Sequence, residues 1–249
     1  YTFDIMNPYF EQLSGEIFVS PDGNNQNPGT ENAPLLSISD AISRMLPSES
    51  EYTINILPGI YSMELTEEQF PISLQNNIVL SGSEEETIID GGNNSAIINV
   101  NGMENVTLEN LRLVNGLGES DYSNKLAGGL TIIDSDNITV KSTKIENCTG
   151  YRWGGGGLIS NSNVHFNNLC FMENEALYYP YANDIYGGGL YIRDSSDVTL
   201  DNCQFIRNSA QKGCGIFNIT SHLTISNSVF SENYGNRFNS YGGGIASSY

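Results

Sequence analysis

The sequence predicts an all-β chain: a single-stranded right-handed parallel β-helix with three strands per coil and a capping helix at its N-terminus. Three observations carry this. An eight-residue unit with apolar residues at positions 1, 3, 6 and 8 heads a series of five related segments. A Gly-Gly-aliphatic element recurs between those segments. The composition is 39% hydrophobic and only 16% charged, with Asn, Ser, Gly and Thr in place of the Ala, Glu, Lys and Leu of helical proteins.

The five segments are Val106–Leu113, Ile138–Ile145, Val164–Phe171, Val198–Phe205 and Leu223–Phe230. Apolar positions 1 and 3 alternate, as do 6 and 8, with a break between them. This spells two short strands joined by a tight bend, each showing one face to a core. A helix is excluded, because apolar residues never recur at three- and four-residue spacing over a long enough window. The third strand comes from Gly128-Gly129-Leu130, Gly156-Gly157-Leu158, Gly188-Gly189-Leu190, Gly213-Cys214-Gly215-Ile216 and Gly243-Gly244-Ile245. Leu130, Ile132, Leu190, Ile192 and Ile216 are expected to point inward. The bend residue is Asn110, Ser142, Asn168, Asn202 and Asn227 in turn. Asn tolerates the left-handed backbone that such a bend needs, and stacked copies are expected to form an amide ladder along the axis.

Residues 1–61 read as an N-terminal segment and cap, and 62–249 as stacked coils, within one structural domain. Ser37 is placed to N-cap a helix from Ile38 to Leu46, with Ile38, Ala41, Ile42, Met45 and Leu46 on one face and Pro47 ending it. Tyr52–Leu57 and Pro58–Tyr61 then supply the first strand and turn. A solenoid end exposes apolar core and strand edges, so a lid is expected there. The segment Gly242–Tyr249 reads instead as a strand in mid-coil. It predicts a chain that continues, or an edge offered to end-to-end self-association.

A formal charge of −19 repels nucleic acid and anionic membranes, and disfavours polyuronates unless Ca²⁺ bridges the like charges. No run of about 18 apolar residues is present, so no membrane insertion of this segment is expected. The chain opens at Tyr1 without an initiating Met or an apolar leader. This predicts an extracellular or cell-surface protein with its leader removed or trimmed. Cys148, Cys170, Cys203 and Cys214 lack CxxC spacing and a His partner, which argues against zinc and leaves thiols or disulfides open.

These motifs resemble the pectate-lyase-like right-handed parallel β-helices. They are also similar to the repeats of polymorphic outer-membrane autotransporter adhesins, which pair Phe-x-x-Asn with a Gly-Gly-Ala-Ile-type element. Here the first motif is Phe171–Asn174, Phe205–Asn208 and Phe230–Asn233, and the likeness covers roughly residues 88 to 249. Cys148 departs from it where an Asn is expected. Residues 17 to 61 are similar to the segment that opens many secreted β-helices. In the related pectin-acting lyases a Lys or Arg abstracts the proton α to a Ca²⁺-acidified carboxylate, and Arg193 beside Asp194 is the nearest candidate. The paired Asp residues and His-Gly motif of the β-helix galacturonases are absent. No cofactor is otherwise implied. The turns holding Asp134, Asp136, Asp194 and Asp197 offer carboxylates to Ca²⁺, although Asp and Ser also serve simply to cap turns.

Coil length varies between the Phe-x-x-Asn end and the next Gly-Gly, so the inserted loops are expected on one face. They hold Tyr122, Tyr151, Trp153, Tyr178, Tyr179, Tyr181, Tyr186, Tyr234, Phe238 and Tyr241, including eight of the fourteen tyrosines and the single tryptophan. The neighbouring strand adds outward-pointing Tyr191, Arg193 and Phe217. Lys125, Arg152, Lys212 and Arg237 lie in the same loops, a pattern suited to an anionic sugar group or to local charge balance. Aromatic rings with polar handles suit stacking on sugars, and they equally suit packing as a satellite core. The function expected is a secreted or surface module binding glycans or proteins through this face, adhesin-like and non-catalytic. The alternatives are a lyase acting on an acidic polysaccharide and a structural subunit stacking end to end.

Overall fold

The computed structural model describes residues 15–45, 50–83, 86–119, 126–178 and 184–248. The described chain is a right-handed parallel β-helix. Eight strands from Glu16–Val19 to His222–Ser226 form one sheet, seven from Gly59–Tyr61 to Val229–Ser231 a second, and seven from Ile72–Ser73 to Ile245–Ser248 a third. A fourth, short sheet comes in addition, built from Thr149–Tyr151, Glu175–Leu177, Ser209–Ala210 and Tyr234–Gly235. It follows the Phe-x-x-Asn corner, where the loops begin.

Pairing is in register and parallel, so each inward position forms a column. Ile78, Val106, Ile138, Val164, Val198 and Leu223 make one such column. Leu108, Leu111 and Leu113 are fully buried, as the apolar spacing requires. The rings of Phe171, Phe205 and Phe230 stack face to face at 4.8 and 4.9 Å, which is the strand spacing itself. One element is out of phase with the sequence reading. Leu130 lies opposite Gly157 and Gly157 opposite Leu190, so Leu158 faces outward. A Cβ at Gly157 would stand 2.9 Å from Leu190 Cδ1 and 3.4 Å from Phe171 Cε1. The Leu190 side chain thus occupies the space a side chain would need there.

The bend residues share one backbone state, with φ of 57° at Asn110, 45° at Ser142, 57° at Asn168, 53° at Asn202 and 50° at Asn227. Asn202 Nδ2 donates to Asn168 Oδ1 (3.1 Å), and Asn168 Nδ2 to Ser142 Oγ (3.2 Å). Asn227 turns aside and donates to Asp201 Oδ1 (2.9 Å). A more enclosed amide ladder runs through the Phe-x-x-Asn residues. Asn174 Nδ2 donates to Asn208 Oδ1 (3.0 Å) and Asn208 Nδ2 to Asn233 Oδ1 (2.9 Å). Cys148 sits at the end of this column, its N–H donating to Asn174 Oδ1. At another corner, hydroxyls do the same work: the N–H groups of Ser135, Ser162 and Ser196 donate to Ser162, Ser196 and Ser221 Oγ.

The helix runs Ile38–Arg44, with Ser37 Oγ accepting from Asp40 N, and Ile38, Ala41, Ile42 and Met45 buried. Leu46 and Pro47 lie outside the described residues. A second cap comes from 30 residues away. Buried Glu68 accepts from Ile38 N (2.7 Å), Ser39 N (3.1 Å) and Ser39 Oγ (2.6 Å). Burial raises its pKa in spite of these bonds. A raised folded-state value means that the stability Glu68 contributes is complete below the unfolded value, about 4.3, and is lost as pH rises through the folded one. Glu68→Gln is expected to flatten this fall, seen as a shrinking difference between mutant and wild-type thermal midpoints toward acid pH.

All four cysteines are free thiols, and burial pushes Cys148 to about 12 and Cys203 to about 11, so they pack as small apolar groups. At the far end the inward column is less covered, with Leu223, Ile225 and Phe230 only partly buried and Ile245 41% exposed. No helix among the described residues is long and apolar enough to cross a membrane.

Candidate functional site

The loops stack although their lengths differ. Trp153 bridges Tyr186, Tyr186 bridges Lys212, and Lys212 bridges Tyr241, all in parallel. Just beyond, Gly154, Gly187, Gly213 and Gly242 share positive φ, and a Cβ at Gly154 would meet Gly157 O at 2.2 Å. That corner redirects these four loops back into the third sheet, whatever their length. Arg152 also has positive φ, at 71°, a strained state for a residue that is neither Gly nor Asn. Its guanidinium lies 4.8 Å from the centre of the Trp153 ring.

On the outer side of the third sheet, Leu158, Tyr191, Phe217 and Ala246 form a column. Tyr191 and Phe217 do point away from the barrel core, yet they are only 5% and 3% exposed. Tyr186 covers them, stacked on Tyr191 at 5.5 Å and tilted over Phe217 at 4.6 Å. Burial pushes the Tyr191 phenol to about 12. These rings therefore act as a satellite core that holds the loops down, and Trp153 packs half-buried at its edge.

Above that floor lies a cleft of about 520 Å³ lined by Arg152, Trp153, Tyr186, Tyr191, Arg193, Asp194, Ile219 and Thr220, in the size range of small-molecule sites. The Arg193 guanidinium stands 5.7 Å from the Trp153 ring. Asp194 binds it twice, taking Nε at 2.5 Å on Oδ2 and Nη2 at 3.2 Å on Oδ1, and also takes Ser160 Oγ at 2.6 Å. Lys212 Nζ pairs with Asp184 at 2.8 Å and stands 5.4 Å from both the Tyr186 and Tyr241 rings. The hydrogen bond from Lys212 is the main reason the Asp184 carboxyl titrates below its usual range. Tyr186 Oη donates to the same carboxylate at 3.0 Å.

The other aromatic candidates are placed apart from the cleft. Tyr178, Tyr234, Phe238 and Tyr241 form an exposed rim, with Phe238 97% exposed and Arg237 3.9 Å over the Tyr178 ring. Tyr151 lies half-buried in the fourth sheet, opposite Leu177. Tyr122, Lys125, Tyr179 and Tyr181 lie outside the described residues. Sequence reasoning missed Asp184 and Ser160. Asp184 stands two residues before Tyr186 in a loop read only for its rings, and Ser160 becomes relevant only through its register with Arg193.

Two of the four carboxylates considered for Ca²⁺ are engaged otherwise. Asp134 Oδ1 accepts from Asn161 Nδ2 at 2.7 Å, and Asp194 serves Arg193 and Ser160. Asp134, Asp136 and Asp197 share a shallow depression of about 300 Å³ with Asn161, Asn163 and three serines. Among the described residues no three His, Cys, Asp or Glu side chains are grouped to hold a metal ion.

The stacked register, the corner ladders and the loops gathered at one corner define a right-handed parallel β-helix with a decorated face. Within that class the chain belongs to the family described as protein of unknown function (DUF1565), which residues 21–248 match. No curated protein matches the sequence. Among solved structures, the chain is similar to a pectin methylesterase variant in complex with a hexasaccharide (TM-score 0.55, 12% identity, 91% of this chain and 68% of that one). It is also similar to pectin methylesterase PemA from Erwinia chrysanthemi (0.48, 13%, 88% and 67%) and to pectate lyase Pel9A (0.40, 13%, 87% and 78%). At such identity the likeness is one of fold.

Proposed function

We propose that this chain is an extracellular glycan-binding module, taking a saccharide chain on the cleft beside Trp153. One observation carries the reading: a half-buried indole and a covered Tyr186–Tyr191 stack stand beside two guanidinium groups in one open groove. Flat rings bury the apolar face of a pyranose, and planar polar groups at the ring edge bond its hydroxyls. The rings are held by packing before any ligand arrives, so little ordering entropy opposes binding. Arg193 is tied by two hydrogen bonds to Asp194, which suits a fixed donor better than a proton acceptor. The hexasaccharide held by the pectin methylesterase of the same fold is consistent with a glycan ligand here.

Trp153→Ala is the direct test. Calorimetry and a glycan array should show binding weakened at least about ten-fold, the cost of one stacking ring. Unchanged binding by a folded variant would dismiss the cleft.

A further inference from the structure

We infer that the cleft selects uncharged saccharides, and that Asp194 and Asp184 set this preference by masking the two cations they hold. The inference rests on the glycan reading above.

The turn that carries Asp194 is unlike the one it stacks on. Ser160 lies opposite Arg193 and Asn163 opposite Asp197, so the Arg193–Asp197 turn holds one residue more than the Ser160–Asn163 turn. The added length is taken up by two consecutive left-handed residues, Asp194 with φ 56° and Ser195 with φ 60°. Neither is Gly, so the conformation is strained. It points the Asp194 carboxylate back at its own neighbour, where it accepts two bonds from Arg193 and one from Ser160. The guanidinium is held in one orientation, with its charge neutralised.

Lys212 is treated the same way by Asp184. Arg193, in the cleft lining, and Lys212, beside the Tyr186 ring that lines it, thus each carry a carboxylate of their own. The protein around them bears a net charge of −19. A polyanion approaching the groove meets a repulsive far field and two near-neutral pairs. A hydroxyl-bearing sugar meets what it needs: carboxylate oxygens to accept its O–H, guanidinium N–H groups to donate to its oxygens, and rings for its apolar face. Of the loop cations that looked suited to an anionic group, Lys212 is on this geometry locally balanced by Asp184.

The test uses the sole tryptophan as reporter. Wild type, Asp194→Asn and Asp184→Asn are titrated with cellohexaose, xylohexaose, mannohexaose and hexagalacturonate, following Trp153 fluorescence and heat. Melting curves confirm folding, and Asp184→Asn serves if Asp194→Asn fails to fold. Wild type is expected to bind a neutral hexasaccharide and to ignore hexagalacturonate. The amides keep an acceptor oxygen but release the cation. Each should therefore gain about ten-fold in affinity for hexagalacturonate at ~0.02 M salt, and lose that gain at ~0.5 M, where the Debye length falls to a few ångströms. A merely structural role for either carboxylate would weaken all four ligands alike, and would not depend on salt. Wild type binding hexagalacturonate at least as tightly as the neutral sugars, or amide variants with unchanged preference, overturns the inference and leaves the glycan reading standing. If none of the four binds, the glycan reading falls and this inference with it.

Discussion

Asn208→Leu is expected to be the most damaging single substitution in the described chain, lowering stability by about 4–6 kcal/mol, the sum of several unpaired buried groups. The Asn208 side chain makes four hydrogen bonds in a fully buried site. It donates to Phe171 O and Asn233 Oδ1, both at 2.9 Å, and accepts from Asn174 N and Asn174 Nδ2 at 3.1 and 3.0 Å. Leucine is nearly isosteric, so no cavity confounds the result. What it leaves is Phe171 O and Asn174 N without their side-chain partner, and the Asn174 and Asn233 amides each one hydrogen bond short, in a medium that cannot solvate them. Hydrogen exchange should show the damage centred on the coils of Asn174, Asn208 and Asn233 rather than on the capping helix, because coils touch only their neighbours. Exchange that accelerates equally along the whole chain would refute a local ladder.

Phe205→Ala comes next. Its ring lies between Phe171 and Phe230, parallel to both within 6°. Removing a fully buried Phe costs about 3–5 kcal/mol, in transfer energy and in the cavity left behind. Both stacked contacts go with it, and their loss is part of that cost. For a chain of this size the thermal midpoint should fall by roughly 10 °C. Phe205→Leu should recover about half of the loss, since it refills most of the volume without the ring stack. A midpoint shift below ~3 °C for the alanine variant would mean that the column relaxes to fill the gap.

Much of the architecture was legible in the sequence because it depends only on alternation. Val106, Leu108, Leu111 and Leu113 announce two inward faces and a bend by spacing alone, and all four are buried. Ser37 announces the start of its helix by the same kind of local chemistry. Gly157 was misphased because four consecutive glycines, 154–157, leave alternation nothing to act on, and the register is settled by strand pairing with Leu130 and Leu190. The Phe-x-x-Asn asparagines were visible as a motif, yet their role as the enclosed ladder was not, since Asn at either corner looks alike until burial is known.

The site divides along the same line. Sequence placed the aromatic loops together, because insertions at one point of a repeat must emerge at one corner of the solenoid. Whether Tyr191 and Phe217 meet solvent depends on Tyr186 lying over them, and whether Arg193 carries a free charge depends on Asp194 turning back through two left-handed residues. Glu68 reaches the N-terminus of a helix 30 residues away for the same reason. Local pattern by itself determines which side chains face in and which face out. Which outward groups are covered, paired or left open is decided only when distant segments close on one another, because burial and charge pairing belong to the space between segments.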